Sequence, residues 1–290
     1  MKYKQYDPVT LRKIQQVELG IYKEIRRICD KYHLSCFALY GTAIGVARHK
    51  GFIPWDDDMD IGMLREDYET FLKVAPQEFA GKYKLTGPDC ADKYYNLVPN
   101  VSKVGTRFIH MYDDGNFNVG ILVDIFPLDY TVADDKLRKK QEQKCLFWRT
   151  LYLLRNVNFY KNHLEGDGNR FLLLASAVAH HLLRISPLSN DFLARRYKKW
   201  AVKYNDPAHR GTLITRLGEE SAEKSLLAQE EMFPLVEMPY EDTTIHMVRC
   251  YDKMLRNFYG DYMQLPPEEN RKNHYPNFLD FGEEENAQGI

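Results

Sequence analysis

Four of the five residues at positions 56–60 are aspartates, in the stretch GFIPWDDDMDIGML that covers residues 51–64. Apolar residues flank these acids on both sides. Clustered carboxylates repel one another, and burying an unpaired carboxylate is expensive. A fold that accommodates this stretch must therefore leave the acids in water or bring positive charge to them.

The composition is that of an ordinary soluble globular protein. The chain has 290 residues, which is enough for one large domain or two modest ones with a sizeable core. Its hydrophobic fraction of 44% and its charged fraction of 28% are typical of that class. A net charge of −1 provides no overall attraction to nucleic acid, so we expect no nucleic-acid partner.

The cysteines and the first residues favour a cytoplasmic protein. The chain has five cysteines, an odd number without a C-x-x-C pair, which matches neither a disulfide framework nor a zinc site. We therefore predict reduced thiols. The start MKYKQYDPVTLRK lacks the apolar segment of a signal peptide, so we expect a cytoplasmic location.

The longest apolar stretch is FLLLASAVAHHLLRI, residues 171–185. It is too short and too rich in histidine to span a bilayer. Two interpretations remain for it. One is a helix buried in the core, which the composition favours, and the other is a helix that lies on a membrane surface.

The spacing of apolar residues predicts an α+β fold. Residues 10–33 have the period of an amphipathic helix, with Thr10 as the expected N-cap. Residues 36–40 predict a short buried strand that leads into a helical stretch. After residue 130 the pattern becomes helical and highly charged, so we divide the chain into a mixed region, 1–130, and a mainly helical region, 131–290.

Two predicted strands carry acids among apolar residues. Residues 58–64 alternate as a strand with Asp58 and Asp60 on one face, and Asp124 lies within the apolar strand 118–128. These acids tolerate one another if a divalent cation binds between them, and oxygen ligands suit Mg²⁺ or Mn²⁺. We therefore predict Asp58, Asp60 and Asp124 as metal ligands and catalytic residues.

Two other interpretations of the aspartates need weighing. A solvated charge run suits Asp56 and Asp57, which could equally form a turn or an N-cap. A calcium-binding EF-hand loop would need glycine where the chain has Ile61 and glutamate where it has Asp67. The calcium loop is therefore disfavoured, whereas the roles of Asp56 and Asp57 stay open.

The residues before the acids have the chemistry of a phosphate site. Gly41 and Thr42 come at a strand-to-helix turn, where free backbone N–H groups and the helix dipole favour an anion. Arg48, His49 and Lys50 then add positive charge. Together with the acids, these residues predict a phosphoryl-transfer site.

Four more residues are candidates for substrate binding. Lys103 is a cation in a strand-like segment. Arg271 and His274 would lie one turn apart if residues 268–274 were helical, and so could reach donor phosphates or acceptor. Trp55 could stack on a base or on choline methyl groups, although core packing is the commoner role for such a ring.

Three segments resemble the LicD family of phosphotransferases, which also includes the fukutin-related proteins. YGTAIGVARHKGFIPWDDDMDIGM resembles the family signature, GILVDIFPLD its second block, and YGDYMQLPPEENRKNHYP, residues 259–276, its third. The blocks are spread over the whole chain, while the helical middle matches little. One departure is Tyr240-Glu241-Asp242, where family members often have an aromatic-Glu-Gly step.

The resemblance implies a nucleotidyltransferase-type fold, in which a mixed β-sheet core has flanking helices. Residues 1–130 would then be the catalytic core, and the end of 131–290 would return to the active site. Family members transfer phosphocholine from CDP-choline to a cell-surface glycan, and relatives move other phospho-alcohols such as ribitol phosphate. The resemblance therefore implies a CDP-alcohol donor, release of CMP, and a glycan acceptor of the lipopolysaccharide or teichoic-acid kind.

Several features stay open at this level. A lipid-linked acceptor would suit a cytoplasmic enzyme at the inner face of the membrane, with peripheral membrane contact through residues 171–185. One of the three predicted catalytic acids could accept the hydroxyl proton. A nucleotidyltransferase that releases pyrophosphate and a non-catalytic glycan- or metal-binding protein are the two alternatives in other functional classes.

Overall fold

The computed structural model describes residues 4–110, 117, 119–159, 170–219 and 222–282. Its first helix, α1, begins at Pro8, which suits the first helical position because proline has no N–H to leave unpaired. The N-cap is Asp7, whose side chain accepts the Thr10 N–H at 2.9 Å. The prediction of Thr10 as N-cap was therefore wrong, since an acid three residues earlier makes the capping bond.

The described part of the chain contains eight α-helices and eleven strands. In chain order they are α1 (Pro8–Tyr32), β1 (Phe37–Ala38), α2 (Tyr40–Ile44), β2 (Asp60–Leu64), α3 (Arg65–Glu78), β3 (Tyr83–Thr86), β4 (Asn100–Lys103), β5 (Arg107–Ile109), β6 (Leu122–Thr131), α4 (Asp135–Asn156), α5 (Arg170–Ile185), α6 (Asn190–Ala201), β7 (Leu213–Thr215), β8 (Leu227–Ala228), α7 (Gln229–Met232), β9 (Val236–Tyr240), β10 (Thr243–Met247), α8 (Tyr251–Tyr259) and β11 (Phe278–Asp280). A π-helical turn, Gly45–His49, continues α2.

The central sheet is mixed, and β6 lies in its middle. It pairs in parallel with β2 and antiparallel with β4, while β1 and β3 lie at the two ends of the strand order. The carboxyl end of β6 pairs with β7, so a strand from beyond residue 200 completes the sheet. The α+β fold with a mixed sheet and flanking helices is confirmed, whereas the division at residue 130 stays a prediction.

Two strands begin later than the sequence predicts. β2 begins at Asp60 rather than at residue 58, because the backbone turns just before it, where the Asp56 N–H donates to the Ile53 carbonyl at 3.0 Å. β6 begins at Leu122 rather than at residue 118, because the Val119 carbonyl accepts the Phe108 N–H at 2.9 Å instead of continuing the ladder. Asp58 therefore precedes its strand.

The helical middle of the chain packs as α4, α5 and α6. The ring of His180 on α5 lies 2.8 Å from the Leu154 carbonyl of α4, so one face of α5 is anchored. The opposite face is exposed, with Phe171 at 76% and Ile185 at 82% exposure. The prediction of a buried helix at 171–185 was therefore wrong, because α5 lies at the edge of this helical layer.

No single helix among the described residues is long and apolar enough to cross a membrane. Phe171–Ile185 and Asn190–Tyr204 together meet that criterion by length and composition, but the two segments are bent by 107°.

Candidate active site

The register between β2 and β6 brings two of the predicted acids side by side. Asp60 and Asp124 are Cα partners on these parallel strands. The Asp124 N–H donates to the Met59 carbonyl at 3.0 Å, and the Asp60 N–H donates to the Thr42 hydroxyl at 2.8 Å. The sheet and Thr42 therefore fix the backbone positions of both carboxylates.

Asp58 joins this pair from the residues before β2. It lines a cavity of about 160 Å³ together with Asp124, and its side chain is 32% exposed. Its negative charge acts on both Asp60 and Asp124. Asp58 and Asp124 thus line one cavity, whereas Asp60 is buried beside Asp124 in the sheet and is not part of the cavity lining. The joint role of the three acids as metal ligands stays a prediction.

Burial and mutual repulsion change the protonation of these acids. Burial, followed by the neighbouring Asp58, raises the pKa of Asp124 to about 7. Burial and the charges of Asp58 and Asp124 raise the pKa of Asp60 well above its usual range. Each of these carboxylates is therefore costly to ionise until a cation is near.

His274 supplies one positive charge at the cavity. Its ring Nδ1 lies 3.4 Å from Asp58 Oδ2 and 3.5 Å from Asp57 Oδ1. The charge of Asp58 and the hydrogen bond with Asp57 raise the pKa of His274 to about 10. The segment around it is not helical, since only Glu268–Asn270 form a 3₁₀ turn, so the predicted helical spacing of Arg271 and His274 was wrong.

The donor chemistry of the site suits a hard divalent cation. Carboxylate oxygens dominate it, and Asp124 Oδ1 is buried without a hydrogen-bond partner among the described residues. Among the described residues, the group whose possible ligand atoms all lie within 4.8 Å of one another is Asp56, Asp57 and His274, which does not include the predicted ligands. Asp57 already accepts hydrogen bonds from the Tyr6 hydroxyl at 2.6 Å and the His274 N–H at 2.7 Å, so we read it as a positioning residue.

The predicted phosphate turn has a different local role from the one expected. A Cβ on Gly41 would lie 2.8 Å from Asp56 Oδ2, so the missing side chain lets that carboxylate approach the backbone. Thr42 is buried and holds Asp60. In this arrangement Gly41 and Thr42 support the acids, and their predicted contact with phosphate stays a prediction.

Two predicted cations, Arg48 and Arg271, lie over the ring of Trp55. The guanidinium carbon of Arg271 lies 4.5 Å from the Trp55 ring centroid and that of Arg48 lies 5.9 Å from it. Arg48 also donates to the His49 ring at 2.9 Å and to the Tyr262 carbonyl at 2.6 Å. These contacts tie the third sequence block to the first.

Two predicted cations have other surroundings. Lys50 is exposed at the end of the π-helical turn, and its carbonyl accepts the Glu241 N–H at 2.8 Å. Lys103, at the end of β4, lines a separate pocket with residues of α1. The structure therefore brings Lys103 to a different face from the acids.

Sequence reasoning missed three residues that shape the site. Glu18 of α1 lines the cavity although it is 2% exposed, and it fell within a helix read only for its apolar face. Arg216 is buried at 1% exposure and lowers the pKa of Asp124 by its charge, which opposes the larger effect of burial. Glu241 accepts the Phe52 N–H at 3.1 Å, so the hairpin β9–β10 supports the acid-bearing loop. Only the Glu of the aromatic-Glu-Gly pattern signalled one of these.

Comparison with known proteins shows which sequences this chain is similar to. Residues 33–161 match the model of the LicD/FKTN/FKRP nucleotidyltransferase domain. The chain is 29% identical over 272 residues to the lipopolysaccharide cholinephosphotransferase LicD of Haemophilus influenzae, covering 92% of this chain and 96% of the relative. It is 28% identical over 174 residues to an uncharacterised protein of Rickettsia typhi, covering 57% of this chain and 50% of that one.

The match to the domain model spans β1 to α4, so it covers the five strands β1, β2, β6, β4 and β3 of the central sheet but not β7 and β8. The similarity to the Haemophilus protein covers more of the chain than the domain match does. Residues 33–161 therefore carry a LicD-type domain, and 92% of the chain is similar to a LicD protein.

Proposed function

We propose that this protein transfers a phospho-alcohol, phosphocholine, from a CDP-activated donor to a hydroxyl of a cell-surface glycan precursor and releases CMP. The observation that most directly supports this proposal is that Asp60 and Asp124 lie in register on parallel strands, with Asp58 at the cavity that Asp124 lines. The named activity of the Haemophilus relative supports the transfer of phosphocholine to lipopolysaccharide.

Mg²⁺ or Mn²⁺, held by Asp58, Asp60 and Asp124, would polarise the donor phosphate and offset its charge. The acceptor oxygen forms the new bond to the phosphorus that bears the alcohol, and the bond to the CMP oxygen breaks. One of the cavity carboxylates takes the hydroxyl proton. Arg48 and Arg271 bind the diphosphate from the side of Trp55.

A donor can enter this cavity from solvent, because the lining residues His274 and Asp58 are partly exposed. Their side chains are 57% and 32% exposed. The imidazolium of His274 offsets part of the negative charge that the acids would otherwise present to a phosphate. His274 thus lets an anionic donor approach an acidic site.

We also propose that the acceptor is presented at a membrane surface, to which α5 binds. Five apolar residues of α5 recur at helical spacing and are at least half exposed: Phe171, Leu174, Val178, Leu182 and Ile185. A stripe of this kind on an amphipathic helix is typical of binding in the membrane interface. A cytoplasmic protein would then work at the inner face of the membrane.

The transfer is tested with CDP-choline, CDP-ribitol, CDP-glycerol and CTP as donors and purified lipopolysaccharide as the acceptor, with Mg²⁺ present. We expect CMP from CDP-choline and a new phosphodiester signal by ³¹P NMR. Asp58→Asn and Asp124→Asn should each reduce turnover by about 100-fold or more, because each removes charge from the metal site. Pyrophosphate from CTP would instead identify a nucleotidyltransferase.

Metal binding is tested apart from turnover by thermal unfolding. Mg²⁺ or Mn²⁺ should raise the melting temperature of the wild type by mass action and have little effect on Asp124→Asn. Asp135→Asn, at the exposed start of α4, is the matched control and should respond like the wild type. An unchanged melting temperature of the wild type at millimolar metal would contradict the proposed ligand set.

A further inference from the structure

The cavity beside the acids is lined by two chemically different kinds of side chain. Four acids line it, together with the cation His274: Glu18, Asp57, Asp58 and Asp124. Aromatic rings also line it: Tyr94, Tyr95, Phe108 and His110. Its volume of about 160 Å³ is close to that of cavities of roughly 150 Å³ that accommodate benzene. It is therefore large enough for a small organic group.

Glu18 is a buried acid in the lining of this cavity. The residue is 2% exposed, and its Oε2 has no hydrogen-bond partner among the described residues. Burial and then the charge of Asp58 raise the pKa of Glu18 well above its usual range. A buried carboxyl that faces a cavity without a donor gains most from a cationic ligand.

The aromatic part of the lining is held in place by its own contacts. The rings of Tyr94 and Tyr95 lie 4.3 Å apart, and Phe117 packs against both at 5.8 and 6.0 Å. The Tyr152 hydroxyl donates to the Tyr94 carbonyl at 2.9 Å, which ties this part of the lining to α4. Burial lowers the pKa of His110 to about 4, so this ring adds no competing positive charge.

The kind of cation follows from these side chains. A divalent metal takes oxygen ligands, so it suits Asp58 and Asp124 but not the ring faces of Tyr94, Tyr95 and Phe108. A primary ammonium carries three N–H donors that need acceptors, whereas a methylated ammonium carries none and is attracted to aromatic faces. Choline without its oxygen has about as many heavy atoms as benzene, so its size also suits the cavity.

We propose that this cavity binds the alcohol head group of the donor, a quaternary ammonium. Glu18 supplies the counter-charge, and the rings of Tyr94, Tyr95 and Phe108 contact the methyl groups. The inference rests on the proposed function, because a phosphate that binds Asp58 and Asp124 through a divalent metal would have its alcohol group beside this cavity. Glu18 is then a specificity-determining residue and takes no part in the bond changes.

The test compares phosphocholine with 3,3-dimethylbutyl phosphate, its uncharged isostere, by calorimetric titration of the full chain with Mg²⁺ present. We expect the wild type to bind phosphocholine at least about tenfold more tightly than the isostere. Glu18→Gln keeps the shape and removes the charge, so it should abolish most of that preference. Glu24→Gln removes a half-buried acid of the same helix that pairs with Arg27 and does not line the cavity, so this variant should keep the preference.

A second variant tests the same cavity in case the Glu18→Gln protein does not fold. Tyr95→Leu removes one ring at the cavity and should weaken phosphocholine binding several-fold while leaving Mg²⁺ binding intact. Equal affinity of the wild type for the two ligands overturns the inference. So does a Glu18→Gln defect that lies in Mg²⁺ affinity and is the same for both ligands.

The outcomes separate this inference from the proposed function. If the protein transfers phosphocholine from CDP-choline but does not prefer the charged ligand, the proposed function is supported and the proposed choline-binding cavity is contradicted. If the protein prefers phosphocholine through Glu18 but releases no CMP, the choline-binding cavity is supported and the proposed transfer is contradicted.

Discussion

At the scale of single residues, Asp124 and Asp129 lie on the same strand and have opposite surroundings. Asp129 is fully buried and accepts two hydrogen bonds from Arg65, at 2.8 and 2.7 Å. Asp124 has a buried oxygen without a partner and lines the cavity. One acid therefore stabilises the fold, whereas the other is costly to the fold and is available for chemistry.

We predict that Asp124→Asn stabilises the protein at alkaline pH when metal is removed with a chelator. The folded pKa of Asp124 is about 7, above the unfolded value of roughly 3.9, so the stability of the wild type falls as pH rises between these values. Asparagine cannot ionise and avoids that loss. The gain should reach about 1–3 kcal/mol at pH 8.

Urea unfolding of both proteins at pH 4 and pH 8 measures this difference. The difference should be small at pH 4, where the aspartate is largely protonated when folded, and larger at pH 8. A variant that is less stable than the wild type at pH 8 would mean that Asp124 is already paired in the folded protein.

Sequence patterns predicted the acids of the candidate site but not the groups that surround them. Asp58, Asp60 and Asp124 were found because carboxylates stand out in apolar strands. Glu18 falls on the apolar face of the predicted helix, but it was taken only as a polar interruption of that face, because helical spacing does not show that the residue lines a cavity. No local pattern reports which helix covers a cavity.

At the scale of elements, the Arg65–Asp129 ion pair joins the start of α3 to the end of β6. The Asn205 side chain adds a hydrogen bond to Asp129 at 2.8 Å, so the segment after α6 is tied to the same point. The pair holds β2 and β6 at the ends opposite to Asp60 and Asp124. It therefore helps to set the register on which the site depends.

We predict that Asp129→Ala destabilises the protein by about 3–5 kcal/mol, because it leaves the buried Arg65 charge unpaired. Urea unfolding at pH 7 measures this loss. Asp252→Ala, which breaks the exposed pair with Arg256, is the matched control and should cost at most about 1 kcal/mol.

The pH dependence of the same pair has a definite sign. Arg65 outweighs the cost of burial and lowers the pKa of Asp129 below its usual range. Its contribution is therefore present above the unfolded pKa of roughly 3.9 and is lost as pH falls through the folded value. The stability gap between wild type and Asp129→Asn should narrow in acid, and a gap that widens in acid would refute this.

Elements were predicted more reliably than their ends. The helix from about residue 10 and the apolar strand around Asp124 follow from strong periodicity, whereas the starts of β2 and β6 depend on turns and on partners far along the chain. α5 shows that the burial of a correctly predicted helix can also be misjudged. Its composition favoured burial, yet burial depends on whether another layer covers the helix, which the 171–185 stretch itself does not encode.

At the scale of the whole molecule, the chain closes the site from both ends. Tyr6, before α1, and His274, near β11, both bond Asp57, at 2.6 and 2.7 Å. The rings of Tyr6 and Tyr275 also pack at 4.6 Å. The two ends of the described chain are therefore fastened to the acid-rich loop, and the family blocks meet although they are far apart in sequence.

The exposed stripe of α5 gives the last prediction, which concerns where the whole protein works. Leu174→Glu with Leu182→Glu places charge in the stripe while keeping helix-forming residues. Since both leucines are more than half exposed, at 55% and 59%, the fold should tolerate the change. Binding to phosphatidylglycerol vesicles, measured by co-sedimentation, should fall by about tenfold or more.

Turnover should separate membrane binding from catalysis. With lipopolysaccharide embedded in vesicles the double variant should lose activity in proportion to its binding, whereas with a delipidated oligosaccharide it should match the wild type. Val9→Glu, an exposed apolar residue of α1 at 78% exposure, is the control and should bind vesicles normally. If the α5 variant bound vesicles as well as the wild type, the stripe would need another occupant, because five apolar side chains on one exposed face are costly to leave in water.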